Sequence, residues 1–384
     1  MKVRILTGAF GEGHKSAANA CKEMIRKEDP QADVLVVDVV KELLEAQSEA
    51  VYGLFRFLVN HCANAYNLYC AATGKKTDSR VNRMLKKRMD EYLDREQPDL
   101  IIATMPIVAQ YVGSYKRSHK DSPKLYTFIT DIEVRPEWIS EETDCYFVGS
   151  QEVAEHLRER GVSKERIKIS GIPVRQQFYE SWELQNRAKH SHERRLYISN
   201  NQCCDRKKEV LIMGGGLGMI PGVEDMLTAL LDAQDIKVTV LAGRNEKMKK
   251  QLETQFPAIH VIGYTEQVAV LMQQADLIVT KAGGVTMFEA IHCQTPLCVL
   301  APFLSQEQEN ARFIIKHNFG MVMWDKRRKE ADMILEMLRN DVALRTMKKQ
   351  MAAFLSSLTP FSCCSKKDSN DWQEADGMRQ RKEA

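Results

Sequence analysis

Residues 209–222 read EVLIMGGGLGMIPG and join a short apolar run to a cluster of glycines. The apolar residues 210–213 predict a buried strand, and the glycines predict a tight turn after it. Pro221 suits the first turn of a following helix, because the N–H that proline lacks would be unpaired there anyway. Strand, glycine turn and helix in this order predict a parallel α/β sheet.

The same alternation of strands and helices extends in both directions from this stretch. Strands are predicted for residues 3–7, 34–40, 100–103, 125–130 and 145–148, and then for 210–213, 238–242, 260–262, 277–280 and 297–300. Helices are predicted for residues 15–26, for most of 41–96, from near 106 and 151, and for about 330–356. The run 34–40 is β-branched and nearly unbroken, which predicts burial on both faces. The fold class is therefore α/β, with two doubly wound sheets and a cleft between them.

This pattern divides the chain into two domains and a tail. Residues 1–180 form the first predicted domain and residues 205–358 the second. The polar stretch 175–208 is predicted to be a linker that overlaps their ends. Residues 359–384 are polar and charged, and we expect them to be disordered.

The composition is that of an ordinary globular protein. The 384 residues are 44% hydrophobic and 28% charged, and the net charge of +3 is too small to indicate a nucleic-acid partner. No apolar run approaches about 18 residues, so no membrane-spanning helix is expected, and the first residues do not resemble a signal peptide. The ten cysteines contain no CxxC pair and are expected to be reduced thiols of an intracellular protein.

The sequence does not predict a zinc site. Two histidines and two cysteines lie within one polar stretch, at His190, His192, Cys203 and Cys204. Their spacing fits no standard zinc site.

The first glycine turn, GAFGEGH at residues 8–14, follows the first strand. Phe10 occupies the second glycine position of the dinucleotide pattern, although Asp38 at the end of the next strand could act as its ribose acid.

His14 lies where a helix begins at the mouth of the predicted cleft. A histidine there can act as a base near neutral pH, and the alternative is a purely structural histidine.

Two further glycine turns precede helices in the second half. The turn at residues 214–218 and the turn KAGGVT at 281–286 place free N–H groups where a diphosphate could bind. Glu289 lies one turn into the next helix, where its carboxylate could accept both hydroxyls of a ribose. The polar run QEQEN at 306–310 starts another helix facing the same cleft, although it could be an ordinary solvated helix start. Together these features indicate that the cleft binds a nucleotide-diphosphate sugar.

At this point the sequence resembles the monogalactosyldiacylglycerol synthase and processive diacylglycerol glucosyltransferase family, with lipid II N-acetylglucosaminyltransferase as a more distant relative. The matching segments are GEGHKSAA (11–18), TDIEVRPEW (130–138), SGIPVRQQF (170–178), MGGGLGM (213–219), LAGRNEKM (241–248), GYTEQVAVLMQQADLIVTKAGGVTMFEA (263–290) and QEQEN (306–310). The resemblance implies a GT-B fold and an inverting, metal-independent transfer of a hexose from a UDP-sugar to a membrane lipid such as diacylglycerol. It implies no cofactor besides the donor itself.

The resemblance also implies roles for individual residues. His14 matches the family's proposed catalytic base. Asp131, which follows the predicted strand 125–130, is a second candidate for that role on its position alone, and the alternative is a cap at the strand end. Glu289 matches the ribose carboxylate, and Gln306 and Glu307 match the pair at the sugar hydroxyls. The remaining residues expected to bind the donor are Gly13, Gly215, Gly216, Gly218, Arg244, Asn245, Gly263, Tyr264, Lys281, Gly283, Gly284, Thr286 and Asn310. The sequence departs from the family pattern at Arg135, Leu217 and Ser305.

The mechanism expected from these residues is a direct displacement at the anomeric carbon. Charge then develops on the leaving diphosphate, and because no DxD metal motif is present, backbone N–H groups and helix N-termini are expected to stabilise it. A base beside the anomeric carbon removes the proton of the acceptor hydroxyl.

Residues 51–72, VYGLFRFLVNHCANAYNLYCAA, are unusually apolar and aromatic for a surface segment. Basic clusters lie at residues 75–88, 187–208 and 326–329. An apolar helix beside basic residues is typical of an element that binds an anionic membrane surface, and the alternative is a core helix with ordinary solvated charges. The location expected is cytoplasmic and peripheral, at the inner face of the cell membrane.

Two other functions remain open on sequence grounds. One is a glycosyltransferase or sugar-nucleotide epimerase that acts on a soluble substrate. The other is a catalytically weak UDP-sugar sensor that works by binding partners, and His14 favours the enzymes over this sensor.

Overall fold

The structure, a computed structural model, describes residues 1–61, 80–180, 182–183, 206–214, 223–302, 304–324 and 329–361. These residues form two six-stranded sheets whose strand pairs are all parallel. The first sheet contains β1 Lys2–Thr7, β2 Asp33–Asp38, β3 Leu100–Ala103, β4 Lys124–Phe128, β5 Cys145–Val148 and β6 Ile167–Ile169. The second contains β7 Lys208–Met213, β8 Ile236–Gly243, β9 His260–Gly263, β10 Leu277–Thr280, β11 Leu297–Val299 and β12 Gly320–Val322.

Helices connect the strands in both halves. In the first half they are α1 Glu12–Glu28, α2 Val39–Leu44, α3 Ser48–His61, α4 Arg80–Glu96, α5 Val108–Ser118 and α6 Gln151–Glu159. In the second half they are α7 Val223–Leu231, α8 Glu246–Gln255, α9 Val268–Gln274, α10 Gly284–Cys293, α11 Ser305–Lys316, α12 Glu330–Arg339 and α13 Asp341–Ser357. Single 3₁₀ turns occur at Glu45–Gln47, Pro136–Trp138 and Lys164–Arg166. The predicted α/β class is confirmed.

The strand order of each sheet shows where a ligand is expected to bind. The first sheet runs β2-β1-β3-β4-β5-β6, so the order reverses between β1 and β3. The second runs β12-β11-β10-β7-β8-β9, so the order reverses between β7 and β10. Doubly wound sheets bind ligands outside the carboxyl ends of the strands at such a reversal. The three glycine turns follow β1, β7 and β10, which are strands that border the two reversals.

Three predictions about secondary structure are wrong. The strand predicted at 34–40 is not buried on both faces, because β2 is an edge strand and Leu35 on it is 47% exposed. The helix predicted at about 330–356 is two helices, because Asn340 interrupts it and caps α13 by accepting a hydrogen bond from Ala343 N at 3.0 Å. Residues 176–180 of the predicted linker are helical, and Phe178 is fully buried.

Other predictions are met in part or lie outside the described residues. The region 41–96 is helical wherever it is described, and residues 62–79 lie outside the description. Most of the predicted linker, at 184–205, also lies outside it, as do the four residues considered for zinc. Four cysteines are buried free thiols, as expected: Cys21, Cys145, Cys293 and Cys298. Strands β6 and β12 were not predicted, because each has three residues and neither carries a clear apolar run.

The chain returns to the first half after α13. Thr359 N donates a hydrogen bond to Ile169 O at 2.8 Å. The Phe361 ring packs edge-on against Phe128 and Phe147, with centroid separations of 5.3 and 5.1 Å. Residues 359–361 of the predicted disordered tail are therefore packed against the first sheet, and residues 362–384 lie outside the description. None of the described helices has the length and apolar character needed to cross a bilayer.

Candidate active site

His14 lies in the first turn of α1 at the carboxyl edge of the first sheet. Gly11 precedes the helix with φ at +117°, a conformation that favours glycine. A hydrogen bond of 2.9 Å joins His14 Nδ1 to Thr130 Oγ1, and the imidazole packs edge-on against Trp138 at 6.2 Å. The Thr104 backbone is a further hydrogen-bond partner of the imidazole.

The electrostatics around His14 favour a neutral imidazole. Burial is the largest influence and lowers the pKa of His14 below its ordinary value of 6.5. Asp131 opposes this shift and Arg135 adds to it. A neutral imidazole at pH 7 can accept a proton, which a general base must do.

Asp131, the second predicted catalytic residue, lies close to His14. It follows β4, whose carboxyl end is on the same edge of the sheet as that of β1. Its side chain is buried, and Oδ2 has no hydrogen-bond partner among the described residues. The structure therefore brings both predicted catalytic residues together.

The third glycine turn packs directly against the first half. A Cβ on Gly284 would lie 2.3 Å from Thr130 O, so only glycine permits this approach. A Cβ on Gly13 would lie 3.9 Å from Val285 Cγ2, which is ordinary contact. The N-termini of α1 and α10 therefore face each other. Two helix N-termini at one place present N–H groups and partial positive charge, which suit an anion.

Glu289 is buried on α10 and meets a residue of the first half. Its Oε1 lies 3.4 Å from Arg175 Nη2. Burial raises the pKa of Glu289 to about 7, although the Arg175 guanidinium opposes the shift. Arg175 was not among the predicted site residues, although it lies in the quoted segment SGIPVRQQF. Its basic side chain after Pro173-Val174 was the available signal, but only the tertiary contact shows that it faces Glu289.

The helix start at 305–310 joins the two halves. Asn310 Nδ2 donates to Ala282 O at 2.9 Å, and Asn310 Oδ1 accepts from Ile132 N at 3.3 Å. Glu307 Oε2 accepts from Leu304 N at 3.4 Å, which helps to start α11. Gln306 is partly buried beside them. Asn310 therefore connects the third glycine turn to the segment that carries Asp131.

The predicted donor residues farther along the second sheet lie at the ends of β8, β9 and β10. The Arg244 guanidinium lies over the Tyr264 ring at 5.1 Å, and Tyr264 is exposed. Asn245 caps α8 by accepting a hydrogen bond from Met248 N at 3.0 Å. Gly283 N donates to Lys281 O at 2.8 Å within the third turn. Of the remaining two, Gly263 ends β9 and Thr286 lies in the first turn of α10. All these positions share the carboxyl edge of the second sheet.

Two further sets of sequence-predicted residues do not lie in the described site. Three of the predicted donor residues, Gly215, Gly216 and Gly218, lie outside the described residues. Asp38, considered as the ribose acid of an NAD site, instead caps α2 by accepting hydrogen bonds from Val40 N and Lys41 N, both at 3.1 Å.

Comparisons with known proteins identify the family. Residues 14–174 match the family profile described as monogalactosyldiacylglycerol (MGDG) synthase, and residues 210–359 match the glycosyltransferase family 28 C-terminal domain. Processive diacylglycerol beta-glucosyltransferases of Bacillus cereus and of Bacillus thuringiensis (strain Al Hakam) are each 30% identical over 361 residues. The alignments cover 91% of this chain and 89% of each relative.

Solved structures share the fold at low sequence identity. MurG from Acinetobacter baumannii superimposes with a TM-score of 0.58 at 12% identity, covering 94% of this chain and 96% of that one. UDP-GlcNAc 2-epimerase from Neisseria meningitidis, bound to UDP-GlcNAc, gives a TM-score of 0.54 at 12% identity, covering 91% and 94%. These likenesses establish the fold alone, which is the predicted GT-B arrangement. The profiles and the relatives together establish that the chain belongs to the monogalactosyldiacylglycerol synthase and processive diacylglycerol glucosyltransferase family, and that it is a glycosyltransferase.

Proposed function

We propose that this protein transfers a hexose from a UDP-sugar to diacylglycerol, with inversion at the anomeric carbon and without a metal ion. The observation that carries the proposal is that Thr130 contacts both His14, in the first turn of α1, and Gly284, at the start of α10. The names of its relatives support the acceptor, and the UDP-GlcNAc bound to the epimerase supports the class of donor.

The second half binds the donor in this proposal. The N–H groups at the start of α10 hold the diphosphate, and Glu289 accepts the ribose hydroxyls when it is ionised. Arg175 lies beside that carboxylate and favours its ionised form. Arg244 and Tyr264 lie at the adjoining strand ends, where the base of the nucleotide is expected. The helix N-termini stabilise the charge of the leaving UDP, a task that other glycosyltransferases give to a divalent cation.

The chemistry needs one proton transfer and one displacement. Neutral His14 takes the proton of the acceptor hydroxyl on a ring nitrogen, while Thr130 and the Thr104 backbone orient the imidazole. The acceptor oxygen forms a bond to the anomeric carbon on the face opposite UDP, and the bond between that carbon and the β-phosphate oxygen breaks. Asp131 then stabilises the imidazolium, since its charge raises the pKa of His14. The products are the glycolipid, UDP and a proton.

The first half meets the membrane in this proposal. Leu54 on α3 is 60% exposed, and Met84 on α4 is also exposed. Arg83 and Lys87 are exposed on α4 beside Met84. Apolar and basic side chains together are typical of a surface that binds anionic lipid. The enzyme would then act at the inner face of the cell membrane, where both UDP-sugar and diacylglycerol are available.

The test incubates the purified protein with a panel of UDP-sugars and vesicles that contain diacylglycerol. Products are read by mass spectrometry for mass and by NMR for anomeric and epimeric configuration, with and without EDTA. We expect one UDP-hexose to yield a hexosyl-diacylglycerol at an unchanged rate in EDTA, with the anomeric configuration inverted. Conversion of the UDP-sugar without an acceptor would instead indicate an epimerase. Binding of UDP-sugar without any turnover would contradict the proposal and indicate a sensor.

A further inference from the structure

Tyr52 on α3 contacts the turn that carries His14. Its hydroxyl accepts a hydrogen bond from Ala9 N at 2.9 Å and donates one to Asp38 Oδ1 at 2.5 Å. The side chain is buried. One hydroxyl therefore connects the first glycine turn to the end of β2.

Side chains hold this turn from two directions. The Phe10 ring packs edge-on against the Tyr52 ring at a centroid distance of 5.1 Å. A Cβ on Gly8 would lie 2.5 Å from Met105 Sδ, so the backbone of the turn lies tightly against that sulfur. The segment between β1 and α1 thus lies between Met105 and the Tyr52 ring. A shift of either would move the start of α1, where His14 lies.

Asp38 is a fixed anchor for the Tyr52 hydroxyl. Its Oδ1 also accepts from Val40 N and Lys41 N, so the carboxylate is held by the start of α2. Burial and the neighbouring Asp38 carboxylate both raise the pKa of Tyr52, so the phenol keeps its proton. The hydroxyl donates that proton to Asp38 and presents a lone pair to Ala9 N. The direction of both hydrogen bonds is therefore determined.

We infer that Tyr52 is a positioning residue for the base, which holds the 8–14 turn through Ala9 so that His14 faces the acceptor. This inference depends on the proposed function, because it requires His14 to be the base. Tyr52 also lies on α3, the helix whose exposed Leu54 the proposed function places at the lipid surface. A single hydrogen bond thus connects α3 to Ala9 in the turn that leads to His14.

The test is Tyr52→Phe, which removes the hydroxyl and keeps the ring against Phe10. Ala9 N loses its acceptor, and small displacements of a catalytic group can cost up to about 100-fold in rate. We expect kcat to fall about 10- to 100-fold. The KM for the donor and the affinity for UDP should stay within about twofold of wild type, because the donor residues lie on the other half.

Tyr92→Phe is a matched control. Tyr92 is a buried phenol of the same half, and its hydroxyl has no hydrogen-bond partner among the described residues. We expect this variant to keep wild-type kcat. An equal loss of kcat in both variants would overturn the inference, since it would reflect general weakening of the core. Wild-type kcat in a folded Tyr52→Phe protein would overturn it as well, and so would a parallel loss of UDP affinity.

A double-mutant cycle separates this inference from the proposed base. If Tyr52 acts through His14, adding Tyr52→Phe to His14→Ala should cause no further loss of kcat. If His14→Ala alone keeps full activity, the proposed base is wrong whatever Tyr52 does. If the fold-losses in kcat of the two single variants multiply in the double variant, the base role of His14 is supported and the positioning role of Tyr52 is wrong.

A second variant keeps the test decisive if Tyr52→Phe does not fold. Asp38→Asn keeps an oxygen to cap α2 but replaces the charged acceptor of the Tyr52 hydroxyl with a weaker neutral one. We expect a smaller loss in kcat, about threefold, with UDP affinity unchanged. An unchanged kcat in this folded variant would count against the inference.

Discussion

The first and third glycine turns lie opposite each other, and they are built differently. The 8–14 turn is held by side chains, those of Tyr52 and Met105, and presents the titratable His14. In the 281–286 turn, Ala282 O accepts a hydrogen bond from the Asn310 side chain. Gly284, which has no side chain, packs against Thr130 O. This turn presents backbone N–H groups. In the proposed function, the same strand-turn-helix unit serves proton transfer in one half and anion binding in the other.

The largest effect should come from His14, the titratable side chain that the first of these turns presents. His14→Ala should lower kcat by about 100- to 10,000-fold, the usual contribution of a positioned base, and leave UDP affinity near normal. Steady-state kinetics and calorimetry measure the two quantities. Substantial residual turnover in the folded variant would move the base role to Asp131. UDP affinity lost together with activity would make His14 a donor-binding residue.

The pH profile gives a second measurement on His14. Because burial lowers the pKa of His14 below 6.5, the wild-type kcat at saturating donor should fall only at acid pH, as the imidazole becomes protonated, and stay level above about pH 7. The acid limb should vanish in His14→Ala. A limb that persists in the variant belongs to another group.

Glu289 tests whether the second half alone recognises the nucleotide. Its pKa of about 7 means that the ionised form grows as pH rises through neutrality, and the ionised form is the better hydrogen-bond acceptor. UDP affinity should therefore rise between about pH 6 and pH 8. Glu289→Gln should remove the part of this dependence that the titration of the UDP phosphate near pH 6 does not supply, and Glu289→Ala should weaken UDP binding about 10- to 150-fold. Calorimetry at several pH values measures the UDP affinity of each variant. An unchanged UDP affinity in the alanine variant would show that Glu289 is not part of the site.

Gly284 tests the contact between the two turns. Gly284→Ala places a methyl group 2.3 Å from Thr130 O, and overpacking of this kind costs about 1–3 kcal/mol. We expect a lower melting temperature and reduced turnover. Gly283→Ala is the matched control, since its Cβ would meet nothing closer than 3.8 Å. Equal melting temperatures of the two variants would show that Gly284 does not pack tightly against Thr130.

The smallest effect on the chemistry itself should come from the acceptor side. Replacing Phe55, Phe57 and Leu58 with serine should weaken vesicle binding about tenfold or more, while UDP binding persists. Leu35→Ser is the control, because Leu35 is an exposed apolar residue of the same half outside segment 51–72. Co-sedimentation should also show stronger binding to anionic vesicles, which added salt weakens. Loss of UDP binding in the triple variant would show that the segment is core.

Much of the fold and the site could be predicted from local patterns. The strands at 100–103, 145–148 and 277–280 were predicted with the bounds that the structure has. Those predictions succeed because parallel strands are short apolar runs with glycine, proline or polar residues around them. The edge position of β2 was missed, because an edge strand and a central strand of similar composition differ only in their neighbours. The break at Asn340 was missed because the apolar pattern continues across it.

The sequence by itself determined which residues end the strands, and therefore that His14, Asp131 and Glu289 lie at carboxyl ends of parallel sheets. Tertiary structure alone decided which of them meet. His14 and Thr130 are 116 positions apart, and Arg175 and Glu289 are 114 apart. Tyr52 reaches Ala9 over 43 positions. Local periodicity reports which face of an element is buried but not what packs against it, so contacts between distant elements appear only in the folded chain.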